Sequence, residues 1–380
     1  MIVDHLSKIN VIRPDSTNQR RCRSLLKAFG RVGLIFVATV ILCQSSSAQE
    51  SGNSTKAAKV QKKEARKPKR FVALGRFEDE VITESSGVTT ARPASDDTES
   101  NAIWTINDSG GAPVLYQVCI KDHASEDAAA KSNVGRTQAT FQLIGASNRD
   151  WESMCGFAIG EDRFLAVGEV GDNALRHGVY KIYVVAEPVV QPLYSKKGKL
   201  KVRKLKAKVR TIEFKYDDGP HNCEAISYNS DDDTFWFVEK VYIDDTRKTP
   251  PGIYVLPNPM AAVEDDAKKK KKPKNVAKRI ADFPVRNVTG MAFSPDNQRL
   301  VIRNYFGAWL YEKAGGKTWQ ETVTESKAKT LSVPLQSQGE AICFSADGQS
   351  LLVTSEFKNA IIWQVSLDQD ANRKKNETGK

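Results

Sequence analysis

The stretch Gln338–Glu356, QGEAICFSADGQSLLVTSE, constrains this chain more than any other. A Gly-Glu pair opens a short apolar run, Asp347 and Gly348 make a turn, and a second apolar run, Leu351–Thr354, leads to Glu356. Two runs of strand-forming residues joined by turn residues predict a β-hairpin. Degraded copies lie upstream, and a repeat of this kind decides architecture before any single residue does.

The copies begin at Glu84–Val88 with Ile103–Asp108, Asp150–Ser153 with Phe164–Glu169, Asn222–Ile226 with Thr234–Glu239, and Val288–Met291 with Leu300–Asn304. A third strand is predicted after most copies, at Val114–Val118, Tyr180–Val185, Gly252–Leu256, Trp309–Glu312 and Ile361–Val365. Outer strands are expected at Ala139–Ile144, Val209–Lys215 and Ala277–Phe283. Four short strands recurring every 50–70 residues or so, over about 300 residues with almost no helical period, predict an all-β fold. The expected architecture is a β-propeller with four-stranded antiparallel blades. Five are counted, and a sixth is left open around Tyr194–Lys215. Phe71–Phe77 reads as a strand that completes the last blade and so removes an exposed sheet edge.

That topology carries a functional expectation. The start of a blade's first strand and the end of its second lie on one face. Glu84, Glu152, Glu224 and Glu340 are starts; Asp108, Glu169, Glu239 and Glu356 are ends. The fourth copy departs, with Thr289, Arg303 and Asn304. An acidic ring around one channel mouth is expected, with a basic notch. Carboxylates so gathered repel one another unless a cation or water neutralises them. The metal-ligand candidates are Glu152, Glu169, Glu224, Glu239, Glu340 and Glu356, and oxygen donors suit Ca²⁺ first, then Mg²⁺ or Mn²⁺. Glu84, Asp108, Asp150, Glu152, His221, Arg303 and Asn304 are the candidates for holding a polar ligand. The competing reading is that these acids bond backbone N–H groups of neighbouring blades. Asp172 reads first as a turn residue, and Trp104, Trp236 and Trp363 as packing. No organic cofactor is expected.

The rest of the chain bears on compartment and partners. Basic residues from Arg20 to Arg31 flank Val32–Leu42, an apolar run of about a dozen residues, within the range of a signal peptide and short of a membrane span. Ser46 and Ala48 suit cleavage after Ala48, giving a secreted or periplasmic protein; an uncleaved anchor and a lipoprotein at Cys43 are alternatives. The expected organisation is a signal peptide (1–48), a disordered basic linker (49–70), the propeller (71–367) and a disordered tail (368–380). Outside the leader, the net charge of +11 is concentrated in Lys56–Arg70, Lys196–Arg210 and Lys268–Arg279. Such runs are usually solvated; adhesion to a polyanionic surface is the sharper reading. Without interleaved aromatics, nucleic acid is the least expected partner. Cys119, Cys155, Cys223 and Cys343 remain after the leader, allow three pairings, and are expected to be free, buried and apolar in behaviour.

Ile103–Leu115, Asp150–Glu152, Val167–Asn173 with Arg176, and Ile182–Pro188 resemble a group of secreted bacterial β-propeller proteins. The strand starts at Glu224 and Glu340 are similar to those of phytase-like esterase domains and of NHL- and gluconolactonase-type propellers. Where such propellers are enzymes, the resemblance implies a divalent cation at the mouth and attack by water on a phosphoester or lactone. By position, Glu152, Glu224 and Glu340 match the glutamate of those motifs. Ala225 and Ala341 stand where the family has Gly, and Thr289 where it has Glu, which puts a complete metal cluster in doubt.

Two functional readings follow. One is a non-catalytic module binding a cation-bridged or polar ligand, such as a glycan or peptide, at the mouth. The other is a metal-dependent phosphoesterase or lactonase, with Glu152 or Glu224 as general base and Arg303 holding the anionic group. Cys223 near His221 is the only nucleophile–base pair suggested by spacing, and it is discounted.

Overall fold

The structure is a computed structural model and describes residues 70–94, 101–122, 132–260 and 275–367. The leader, nearly all of the basic linker, the Lys268–Lys274 run and the tail lie outside the described residues. No helix among the described residues is long and apolar enough to cross a membrane.

In chain order the strands are β1 (Phe71–Arg76), β2 (Ser85–Thr90), β3 (Ala102–Asn107), β4 (Val114–Cys119), β5 (Thr137–Ile144), β6 (Trp151–Ile159), β7 (Asp162–Glu169) and β8 (Tyr180–Ala186). A small ribbon, β9 (Leu193–Tyr194) and β10 (Leu200–Lys201), precedes β11 (Arg203–Lys208) and β12 (Arg210–Tyr216). Then come β13 (Cys223–Asn229), β14 (Thr234–Glu239), β15 (Gly252–Pro257), β16 (Asn275–Asp282), β17 (Val288–Phe293), β18 (Arg299–Asn304) and β19 (Ala308–Glu312). Helix α1 (Trp319–Glu325), β20 (Lys329–Leu331), β21 (Gly339–Phe344), β22 (Ser350–Ser355) and β23 (Ile361–Ser366) complete the described chain.

Each predicted hairpin forms, and the next strands add outward from it. The sheet orders are β2-β3-β4-β5, β6-β7-β8-β12, β13-β14-β15-β16, β17-β18-β19-β20 and β21-β22-β23-β1. The innermost strands touch in a closed cycle: β2 against β6, β6 against β13, β13 against β17, β17 against β21, and β21 back against β2. This is a propeller-like, all-β arrangement. β1, from the start of the domain, pairs antiparallel with β23 from its end, so the expected closing strand is present.

Inner strands are buried on both faces because sheet stacks on sheet. That is why β13, β14, β21 and β22 are buried along their whole length rather than at alternate positions. The core lies in the seams. Trp104, Phe141, Trp151 and Tyr183 fill the first, Phe157, Phe214 and Phe237 the second, and Trp236, Phe293 and Trp319 the third. Cys119, Cys155, Cys223 and Cys343 are free and buried.

The stretch left open for a sixth blade supplies outer strands instead. β11 and β12 are separated only by Val209. β11 runs parallel to β5 on the perimeter of the first sheet. β12 pairs with β8 and, in parallel, with β16, fusing the second and third sheets into one of eight strands. β11 alternates, with Lys204, Lys206 and Lys208 exposed and Leu205 and Ala207 packed inward. Lysines on an edge strand hinder pairing with another chain, which accounts for much of the Lys196–Arg210 basic run without a ligand.

One irregularity positions the site. Every inner hairpin has a β-bulge near its start: between Ser85 and Gly87, Trp151 and Ser153, Cys223 and Ala225, Val288 and Gly290, and Gly339 and Ile342. The unpaired residues are therefore Ser86, Glu152, Glu224, Thr289, and Glu340 with Ala341. A bulge re-aims the side chain it frees from the ladder.

Candidate functional site

The bulges set a register that divides the expected ring in two. Asn107, Glu169, Glu239, Asn304 and Ser355 occupy equivalent places, each paired with the residue that opens the inner strand. Asp108, Val170, Lys240, Tyr305 and Glu356 come one residue later, on the other side of the pleat. Glu169 and Glu239 thus belong to a different set from Asp108 and Glu356.

The two glutamates of the first set are committed to neighbouring loops. Glu169 Oε2 accepts from Ser147 Oγ at 3.1 Å, Arg149 N at 3.2 Å and the Tyr183 hydroxyl at 3.2 Å. Glu239 accepts from Arg247 Nη1 at 3.0 Å and Gly252 N at 3.2 Å, and lies 3.1 Å from His221 Nδ1. The other ring nitrogen of His221 is 2.7 Å from Asp218 and 2.8 Å from the Tyr254 hydroxyl. Burial opposes a charged ring, but the bonds to Glu239 and Asp218 outweigh it and raise the His221 pKa. His221 is a clamp between loops. Its neighbour Cys223 is wholly buried, which pushes the thiol far up, and both ring nitrogens of His221 are taken by Glu239 and Asp218.

Arg303 and Asn304 are also structural. Arg303 is fully buried, and its Nη1 donates to the carbonyls of Ala341 at 2.9 Å and Thr354 at 3.4 Å. It wedges the fourth sheet against the fifth instead of forming an open notch. Asn304 accepts from Phe306 N and Gly307 N and donates to Arg286 O, bracing a turn. Asp172 accepts from Arg176 N, His177 N and the Tyr180 hydroxyl, as a turn residue should. Glu84 is exposed and sits two residues before the bulge, bridged to Glu356. Its place in the repeat is taken by Ser86.

What the structure brings together is Asp108, Asp150, Glu152, Glu224, Glu340 and Glu356. Burial raises the Asp108 carboxyl to about 7, with Asp150, Glu224 and Glu356 adding repulsion. Glu356 is likewise pushed up to about 7 by burial and then by Glu224 and Glu84. Glu152 is 5 % exposed and Glu340 3 %, and neither carboxylate has a hydrogen-bond or ion-pair partner among the described residues. Burial, then the surrounding acids, raises both well above the usual carboxylate range.

Lys240 is the functional residue that sequence reasoning missed. Its Nζ donates to Glu224 and, at 2.8 Å, to the Tyr305 hydroxyl. It also lies 5.3 Å from the Tyr242 ring centroid. Burial disfavours the ammonium, yet Glu224 and Glu340 hold it protonated. Its signal was present in the repeat: it occupies the place of Asp108 and Glu356. Asn148 was missed as well. It donates to Asp108 O at 2.7 Å and accepts from Trp151 N at 3.3 Å, tying the end of β3 to the start of β6.

Asp108, Asp150 and Glu152 each offer an oxygen within 4.8 Å of the other two. Gly171 lies beneath them: a Cβ there would come within 2.4 Å of both Asp150 Oδ2 and Glu152 Oε1. That glycine is where the backbone must approach two carboxylates closely.

No protein-family profile and no curated protein matches the chain. Among solved structures, it is similar to Kuenenia stuttgartiensis hydrazine synthase, at 10% identity and a TM-score of 0.37, over 74% of this chain and 72% of that one. It is similar also to a gluconolactonase from Xanthomonas campestris, at 10% identity and a TM-score of 0.35, over 70% and 68% of the two chains. Likeness at this level says nothing about activity, and the fold stands on its own strand order.

Proposed function

We propose that this protein is a five-bladed propeller that acts as a binding module, taking a positively charged or cation-bridged polar ligand at its acidic mouth. One observation carries the reading. Asp108, Asp150, Glu152, Glu224, Glu340 and Glu356 gather there, and among the described residues Lys240, on Glu224, is the only cation ion-paired with any of them. Buried carboxylates without partners are costly, and a cationic ligand relieves that cost. The test is a melting-temperature screen of polyamines, basic peptides and glycans, with and without Ca²⁺, on the wild type and Glu340→Gln. A rise in melting temperature that the substitution abolishes supports the module; no rise across the panel sinks it.

The second reading is a metal-dependent hydrolase of phosphoesters or lactones. Glu152 favours it, being a buried, protonatable carboxyl with no partner, as a general acid or base can be. Turnover of a phosphomonoester or lactone, abolished by chelator and by Glu152→Gln, would establish it. Export through the leader, and adhesion to polyanions through the basic runs, complete the proposal. Retention on an anionic matrix at rising salt, before and after deletion of residues 268–274, tests the latter.

A further inference from the structure

We infer that the β9–β10 ribbon and the perimeter beside it dock this protein on the surface of an anionic lipid bilayer. This rests on the reading of the basic runs as adhesive, and it names both the site and the partner.

The charge here is one-sided. From Pro188 to Ile212 the chain carries nine Lys or Arg and no Asp or Glu. Lys204, Lys206 and Lys208 protect the β11 edge. Lys196, Lys197, Lys199 and Lys201 guard no blade, because β9 and β10 pair only with each other. These four are exposed, and none forms an ion pair with a described residue. Charge alone would suit any polyanion, so a second observation decides. Val189, Leu193, Tyr194 and Val202 lie in the same stretch and are from 41 to 49 % exposed. Leu193 is paired with Lys201, which sets an uncovered aliphatic side chain beside an ammonium group. Exposed aliphatic side chains add nothing to the grip on a charged polysaccharide. A bilayer takes them between its headgroups and takes the ammonium groups at its phosphates.

The fold holds the ribbon in place. Glu187 accepts from Arg92 N at 2.6 Å and Trp104 Nε1 at 3.0 Å, and Gln191 donates to Ala94 O, which fixes the approach along the first sheet. Leu200 is buried. Ser195 N donates to Lys199 O at 2.8 Å and Gly198 N to Ser195 O at 2.9 Å, and Gly198, at φ 71°, closes the turn that presents Lys196 and Lys197. β5 runs toward the mouth and β11 lies parallel to it, so the ribbon, which precedes β11, stands at the opposite end. The hairpin turns of other sheets at that end carry Glu161, Asp162, Asp231, Asp232 and Asp296, which an anionic surface repels. Contact is therefore confined to the flank of the first sheet, and the mouth stays open to its ligand.

The experiment offers the full chain phosphatidylcholine vesicles, with and without phosphatidylglycerol, and a heparin column. Lys196→Gln, Lys197→Gln, Lys199→Gln and Lys201→Gln together should weaken binding to the anionic vesicles on the order of a hundredfold. Leu193→Ser with Tyr194→Ser should weaken it about tenfold and leave heparin retention unchanged. The leader is common to all variants, so a local reading accompanies them: tryptic cleavage after Lys197, followed by mass spectrometry, should slow on anionic vesicles and not on neutral ones. Circular dichroism confirms that each variant is folded, and Tyr194→Ser alone serves where the double variant does not fold. Cleavage at an unchanged rate overturns the inference. So does an apolar variant that binds anionic vesicles like the wild type, because the surface would then read charge alone and adhesion to another polyanion would stand. A wild type held by neither vesicles nor heparin overturns the adhesive reading as well.

Discussion

Lys240, the residue that follows β14, donates to Glu224 on the paired strand β13, and both side chains are 5 % exposed. Each charge is out of water and depends on the other. Removing one partner of such a pair strands the second, at about 3–5 kcal/mol. Lys240→Met should therefore lower unfolding stability by that much in a urea titration. Adding Glu224→Gln to it should recover more than half. A single variant with the wild-type midpoint would show that the pair does not hold the mouth.

His221 makes stability depend on pH. Its folded pKa lies above the unfolded value of about 6.5. The imidazolium contribution is therefore complete below that value and is lost as pH rises through the folded pKa. Burial raises Glu239 and Asp218, but their bonds to His221 lower both overall, so their contributions fade as pH falls through their depressed folded values. The clamp is strongest between the carboxylate range and 6.5. His221→Gln should lower the melting temperature more at pH 6 than at pH 9. Equal losses at both would mean that the ring is neutral in the folded protein.

The closing strand is the third target. β1 covers the β23 edge along Phe71–Arg76. Deleting those residues leaves a row of unpaired backbone groups in the last sheet. The shortened protein should melt lower and elute from size-exclusion columns as dimers or larger species. A monomer with an unchanged melt would mean that β1 contributes nothing to closure.

Arg303 separates a structural role from a binding one. Its guanidinium is buried against two backbone carbonyls, and burial brings its pKa down to about 10. Arg303→Ala leaves a cavity and unsatisfied carbonyls and should cost about 3 kcal/mol or more in urea unfolding. The rise in melting temperature given by a mouth ligand should change little. A large change in ligand affinity at wild-type stability would return Arg303 to the site.

The hairpins were legible because their evidence is local. Leu351–Thr354 and Thr234–Glu239 are apolar runs bounded by turn residues, and no distant contact is needed to read them. The closing role of Phe71–Arg76 followed from the cost of an open edge. The site was legible only in outline. Glu152, Glu224 and Glu340 were found because they begin the repeat, and the bulges aim them as a set. Glu169 and Glu239 were grouped with Asp108 and Glu356 because all four end a strand, yet one residue of offset puts the pairs on opposite sides of the pleat. Bulges leave no local mark that fixes that offset. Lys240 was overlooked for the same reason: its place in the repeat matches Asp108 and Glu356, but its sign differs and the offset has to be known before the match is seen.

The near-continuous segment Arg203–Tyr216 acts as a partial hoop. It spans the perimeters of the first three sheets and leaves the other two without such a tie among the described residues. The wheel is therefore stiffer on one side than on the other. Asp108 and Asp150 stand at the stiff side, where their separation is held from the rim as well as from the hub. The acid trio thus sits at the one junction, among the described residues, where consecutive residues, Lys208 to Arg210, carry the chain from the perimeter of one sheet to that of the next.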